Sequence, residues 1–71
     1  MKSLYTREDL FRKNIYIHGS NDVPDSIEIT DKAIIVKRGS QSIEIPLNSM
    51  RGKAILDRLS YDGELVQEIY L

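Results

Sequence analysis

The only histidine of this chain, His18, is followed closely by Asp22 and Asp25. One imidazole and two carboxylates are groups that can ligate a divalent cation. However, the stretch lacks the glycine at which an EF-hand loop turns. The alternative is an outward-facing strand residue followed by a turn whose aspartates bond to the local backbone. We favour this alternative and predict no metal site and no cofactor.

Other catalytic arrangements are also absent from the sequence. Serines, aspartates and the histidine occur, but not in a Gly-x-Ser-x-Gly elbow. The chain has no cysteine, which excludes a disulfide scaffold, a thiolate metal site and a cysteine nucleophile. A chain of 71 residues has little interior to spare for a substrate pocket. We therefore predict no catalytic residues, no enzyme activity and no small-molecule substrate.

Four cationic side chains are candidates for contacts with nucleic acid. Lys37 and Arg38 precede a predicted turn, and Arg51 and Arg58 are seven residues apart, which places them on one face of a predicted helix. Such positions can contact phosphates. However, the net charge is −1, which disfavours a general polyanion binder. The alternative is that nearby carboxylates neutralise these cations.

Tyrosines account for four of the five aromatic residues, and tyrosine is enriched at protein interfaces. Tyr16 alternates with Ile15 and Ile17, so it faces the other side of a predicted strand. If this strand and the last one are neighbours, Tyr16, Val66 and Tyr70 form one exposed apolar patch, a feature that marks contact surfaces. The alternative is that the first helix covers this face and the tyrosines belong to the core.

Two helices are predicted among the elements that position these residues. Thr6, with Asp9 three residues later, matches a capping box and predicts a helix over residues 7–13. Residue 48 or 49 can cap a second helix over about residues 49–61. Four residues of the second helix are spaced as one apolar stripe: Gly52, Ile55, Leu56 and Leu59.

Runs rich in β-branched residues predict strands over residues 14–18, 26–30, 33–38, 42–47 and 64–71. Short turns join the three middle runs, which predicts an antiparallel meander. The element order is therefore α-β-β-β-β-α-β. We predict a single small α+β domain over residues 1–71, with one antiparallel sheet and one or two helices packed on one of its faces.

The predicted meander resembles hairpins found in small bacterial PH-like domains. The residues that carry this resemblance are 29–39 and 42–47, which include the two predicted turns and the strands beside them. This resemblance implies antiparallel pairing and assigns no site residue. No family is matched by a specific motif. The small size and the lack of cysteine also suit a phage or bacterial accessory protein.

No apolar run approaches the ~20 residues that span a bilayer, and no signal-peptide pattern opens the chain. We therefore expect a cytoplasmic protein with no membrane contact. The sequence favours an interaction module that binds a protein partner, or itself as a homodimer, through Tyr16, Val66 and Tyr70 or through the edge of the last strand. The alternative function is a nucleic-acid-binding regulator that uses Lys37, Arg38, Arg51 and Arg58.

Overall fold

The computed structural model describes residues 3–61 and 64–71, which form two sheets and two helices. The chain is of the α+β class, as predicted. In chain order the elements are β1 (Leu4–Thr6), α1 (Arg7–Arg12), β2 (Ile15–Ile17), β3 (Ser26–Ile29), β4 (Ala33–Arg38), β5 (Gln41–Pro46), α2 (Met50–Leu59) and β6 (Gln67–Ile69).

The larger sheet is antiparallel, with strand order β1-β3-β4-β5. The predicted meander is confirmed as its strands β3, β4 and β5. Alternation along each strand separates a core face from an outer face. On the core face, Ile27 lies opposite Val36 and Ile34 lies opposite Ile45, and all four side chains are buried. The outer face carries polar and charged residues together with apolar ones such as Leu4 and Ile35.

A two-residue turn, Gly39-Ser40, joins β4 to β5. Gly39 has a φ of +61°, and glycine is preferred at the first central position of a type II′ turn because that position needs a positive φ. The Asp25 carboxylate accepts a hydrogen bond of 2.7 Å from the Gly39 N–H. The loop before β3 therefore supports the tip of this hairpin.

Helix α1 begins with the predicted capping box. The Thr6 hydroxyl accepts a hydrogen bond from the Asp9 N–H, and the Asp9 carboxylate accepts one from the Thr6 N–H. Helix α1 has two large apolar side chains, Leu10 and Phe11. Leu10 is fully buried, whereas Phe11 is half exposed and lies against Tyr16.

Helix α2 begins after Ser49, whose hydroxyl accepts a hydrogen bond of 3.0 Å from the Gly52 N–H. Its apolar stripe is confirmed, since Gly52, Ile55 and Leu59 are buried and Leu56 is half-buried. This face of α2 packs against the buried isoleucines of the larger sheet, with which it shares one hydrophobic core. Among the residues described, neither α1 nor α2 combines the length and apolar content that a membrane-crossing helix needs.

The structure differs from the predicted topology at two points, and β6 is shorter than the strand predicted over 64–71. The strands predicted over 14–18 and 64–71 do not join the antiparallel sheet: β2 and β6 pair with each other in parallel, with Tyr16 opposite Glu68. Alternation shows which residues face inward and not which strand is the neighbour. In addition, β1 was not predicted, because it has three residues and its last one, Thr6, is also the helix cap.

Candidate interaction surface

The outer face of the β2–β6 sheet collects the residues of the predicted contact surface. We call Tyr16, Val66 and Tyr70 the tyrosine face. Val66 is 68% exposed and Tyr70 is 54% exposed, whereas Tyr16 is half-buried. Tyr16 lies opposite Glu68, and Val66 and Tyr70 flank β6, each two residues from Glu68. Tyr16, Val66 and Glu68 line one shallow pocket, and the Tyr70 ring stacks on His18, two residues after Tyr16. These contacts place the three side chains on one side of this sheet. The two predicted strands are thus neighbours, as the predicted patch required.

Ring contacts fix two members of the tyrosine face. The Phe11 ring of α1 meets Tyr16 edge to face, with 6.1 Å between ring centroids. The Tyr70 ring stacks on the His18 ring, with 4.2 Å between the ring centroids. The first helix therefore covers part of Tyr16 and leaves Val66 and Tyr70 exposed. The face is thus partly covered by the helix, as one alternative had it, and partly an exposed patch, as the other had it.

His18 is separated in its contacts from the aspartates that follow it. Its Nδ1 lies 3.4 Å from the Glu68 Oε1. Asp22 and Asp25 instead face Arg7, the first residue of α1. The Arg7 guanidinium donates hydrogen bonds to Asp22 and to the Val23 carbonyl, and lies 3.5 Å from the Asp25 Oδ1. Among the described residues no three His, Asp or Glu side chains are grouped to hold a metal ion.

The Arg7 guanidinium lowers the pKa of Asp22 by its hydrogen bond, and the Val23 N–H adds a second hydrogen bond that acts in the same direction. Both donors stabilise the carboxylate form. The two aspartates thus hold the 19–25 loop against α1 rather than forming a ligand set.

The four candidate nucleic-acid contacts belong to two parts of the fold, the β4–β5 hairpin and α2. Lys37 points to the outer face of the larger sheet, since it alternates with the buried Val36. Arg38 is at the hairpin tip, and α2 begins near the opposite end of β5, about 16 Å away at ~3.3 Å per residue. Arg51 and Arg58 lie together on α2.

Arg51 and Arg58 line an open groove of about 230 Å³ between α2 and β6. Met50, which is 90% exposed, and Ala54 line the helix side with them. Sequence reasoning missed this groove. The seven-residue spacing of the arginines gave their common face, but nothing in the sequence showed that β6 lies beside it. The strand side and floor of the groove are formed by Glu68, Tyr70, Ile55 and Ile69.

One edge of β6 has no strand paired with it among the described residues. The Gln67 N–H donates to the Asn14 carbonyl, and the Ile69 carbonyl accepts from the His18 N–H. In a parallel pair the residue between two such bonded residues directs its N–H and C=O to the opposite side. The backbone of Glu68 is therefore available for pairing at the groove side of β6.

No protein-family model matches this sequence, and comparisons with curated proteins and with solved structures found no significant similarity. The resemblance of residues 29–47 to PH-like hairpins therefore rests on those residues alone. The functional conclusion depends on the geometry of the β2–β6 face and of the groove beside it.

Proposed function

We propose that this chain is a protein-interaction module of the cytoplasm, without catalytic activity of its own, and that the tyrosine face is its contact surface. The observation that supports this is the exposure of Val66 and Tyr70 beside Tyr16 on one sheet face. Contiguous exposed apolar residues characterise binding surfaces, and tyrosine is over-represented among the residues that contribute most to binding. The partner is another protein or a second copy of the chain.

The contacts of the tyrosine face suit this role. Tyr70 is stacked on His18, and Tyr16 is held by Phe11, so both rings are oriented before a partner arrives. Ordering a side chain on binding costs about 0.5–1.5 kcal/mol, and a ring that is already held avoids part of that cost. The face therefore presents rigid aromatic groups with a hydroxyl at each tip.

Site-specific photocrosslinking tests this proposal. Tyr70 is replaced by p-benzoylphenylalanine in the full chain, in cells that naturally make the protein. Leu4 is the matched control position, since it is 51% exposed but lies on the outer face of the larger sheet. We expect a protein adduct from position 70 and none from position 4, and the mass of the adduct distinguishes a second copy from another protein.

A second variant tests whether the face itself forms the contact. Val66→Ser in the crosslinking chain is expected to reduce the adduct by about fivefold or more, because burying a valine side chain in a contact contributes about 1.5–3 kcal/mol and serine retains little of this apolar burial. Any of three results would contradict the proposal. They are equal adducts from positions 4 and 70, the absence of a protein adduct from position 70, and adducts with nucleic acid alone.

A further inference from the structure

We infer that the groove between α2 and β6 binds an extended polypeptide segment in which an aliphatic residue lies between two carboxylates, and that this segment pairs with the free edge of β6. This inference rests on the proposed function, because it names the partner chemistry for the side of the surface that includes Tyr70. Three independent features of the groove lead to it: its backbone edge, its apolar lining and its charge.

The backbone edge selects an extended segment. The N–H and C=O of Glu68 point away from β2, and no described strand pairs with them. Glu68 also lines the groove, so a segment that lies there reaches both groups. Addition of a strand to an exposed edge is a recurrent mode of peptide recognition in which the main chain supplies the hydrogen bonds.

The apolar lining selects an aliphatic side chain. Met50 and Ala54 of α2 lie on one side, above the buried side chains of Ile55 and Ile69. The volume of about 230 Å³ lies below the ~300–1,000 Å³ typical of sites for drug-sized ligands. It is suited to a single side chain presented by a strand.

The charge of the groove selects carboxylates. Neither Arg51 nor Arg58 has an ion-pair partner among the described residues. Arg58 donates one hydrogen bond of 3.1 Å to the Ala54 carbonyl, and its Nε is buried without an acceptor. Both arginines border the groove, whereas the one carboxylate that borders it, Glu68, lies close to His18.

The spacing of the arginines sets the pattern of the segment. Seven residues of α-helix rise about 10.5 Å, and strand residues four apart span about 13 Å. Flexible arginine side chains bridge that difference. Carboxylates at positions i and i+4 of a strand therefore reach Arg51 and Arg58, and the aliphatic residue at i+2 lies opposite Ala54.

The probe is the peptide acetyl-Asp-Thr-Val-Thr-Asp-amide, whose palindromic sequence presents the same order of side chains in either strand direction. It is titrated into the ¹⁵N-labelled full chain, and its control is the same peptide with lysine in place of both aspartates. We expect saturable shifts that are largest at Ala54, Glu68 and Tyr70, and binding at least about tenfold weaker for the lysine peptide.

Protein variants separate the backbone contact from the charge contact. Glu68→Pro removes the free N–H and is expected to abolish binding, whereas Glu68→Gln keeps this N–H, removes a carboxylate and is expected to tighten binding. Arg51→Gln is expected to weaken binding about twofold to fivefold. Its matched control, Lys53→Gln, removes a cation from the same helix outside the groove and is expected to leave binding unchanged.

If Glu68→Pro does not fold, the comparison of Arg51→Gln with Lys53→Gln decides the question. Any of three results would overturn the inference. They are the absence of a saturable shift at millimolar peptide, equal binding of the aspartate and lysine peptides, and equal effects of Arg51→Gln and Lys53→Gln on binding. So would concentration-dependent dimerisation through the groove without peptide. A protein adduct from position 70 together with no peptide binding would reject this inference and leave the proposed function standing.

Discussion

At the scale of single residues, Arg7 links the start of α1 to the loop between β2 and β3. Its guanidinium binds the Asp22 carboxylate and the Val23 carbonyl and lies 3.5 Å from Asp25. Because Asp25 in turn accepts a hydrogen bond from Gly39, the cluster extends to the β4–β5 turn. The exposed Arg7 side chain therefore links three parts of the chain that are distant in sequence. These are the start of α1, the loop between β2 and β3 and, through Asp25, the β4–β5 turn.

The lowered pKa of Asp22 gives this cluster a pH dependence. Since the folded state favours the carboxylate, its contribution to stability is present above the ordinary value of 3.8 and is lost as the pH falls through the lower folded pKa. We expect Asp22→Asn to be less stable than the wild type at pH 7, with the difference shrinking towards pH 2. Urea unfolding at each pH measures this, with Asp31→Asn as the control, and a difference that stays constant with pH would refute it.

At the scale of elements, the junction of β5 and α2 depends on a close approach of backbones. A Cβ built at Gly52 would lie 2.2 Å from the Pro46 carbonyl oxygen. That oxygen also accepts a hydrogen bond from the Ser49 hydroxyl, so the helix start is held against the strand end. The helix face that lines the groove is oriented by this junction.

Gly52→Ala is expected to destabilise the chain. In an exposed helix interior alanine is favoured over glycine by about 1 kcal/mol, but here the new methyl group meets rigid backbone. Overpacking typically costs about 1–3 kcal/mol, and a 2.2 Å contact lies at the severe end, so we expect a net loss of at least about 1 kcal/mol. Urea denaturation measures it, with the exposed Lys53→Ala as a near-neutral control. A gain in stability would show that the junction relaxes freely.

At the scale of the whole molecule, one core serves both sheets. Ile34 of the larger sheet, Ile69 of the smaller one and Ile55 of α2 are all buried in the same cluster. An isolated pair of short strands is marginal in water, so the β2–β6 sheet depends on this shared core. The candidate interaction surface is therefore as stable as the core beneath it.

Two adjacent isoleucines test this dependence. Ile34 is fully buried, whereas Ile35 is half-buried on the outer face. Ile34→Ala is expected to cost about 2–5 kcal/mol, comparable to the ~3–5 kcal/mol that a core of this size supplies. The variant should lose cooperative unfolding and the dispersed resonances of β2 and β6, while Ile35→Ala stays folded. Equal losses for the two variants, or a folded β2–β6 sheet in Ile34→Ala, would contradict the shared core.

Local chemistry allowed the sequence to determine much of this protein. The capping box of Thr6 and Asp9, the apolar stripe of α2 and the β3–β4–β5 meander each depend on residues close together in the chain. The membership of Tyr16, Val66 and Tyr70 in one face was predictable too, conditional on their strands being neighbours. Alternation along each strand is enough to assign a side chain to a face.

Only the tertiary structure decided which strands are neighbours. The parallel pairing of β2 with β6, the addition of β1 to the larger sheet and the groove between α2 and β6 all join residues far apart in the chain. The same structure placed Arg51 and Arg58 beside β6. The physical reason is that alternation and capping are local preferences, whereas the pairing of distant segments depends on how all the buried isoleucines pack together.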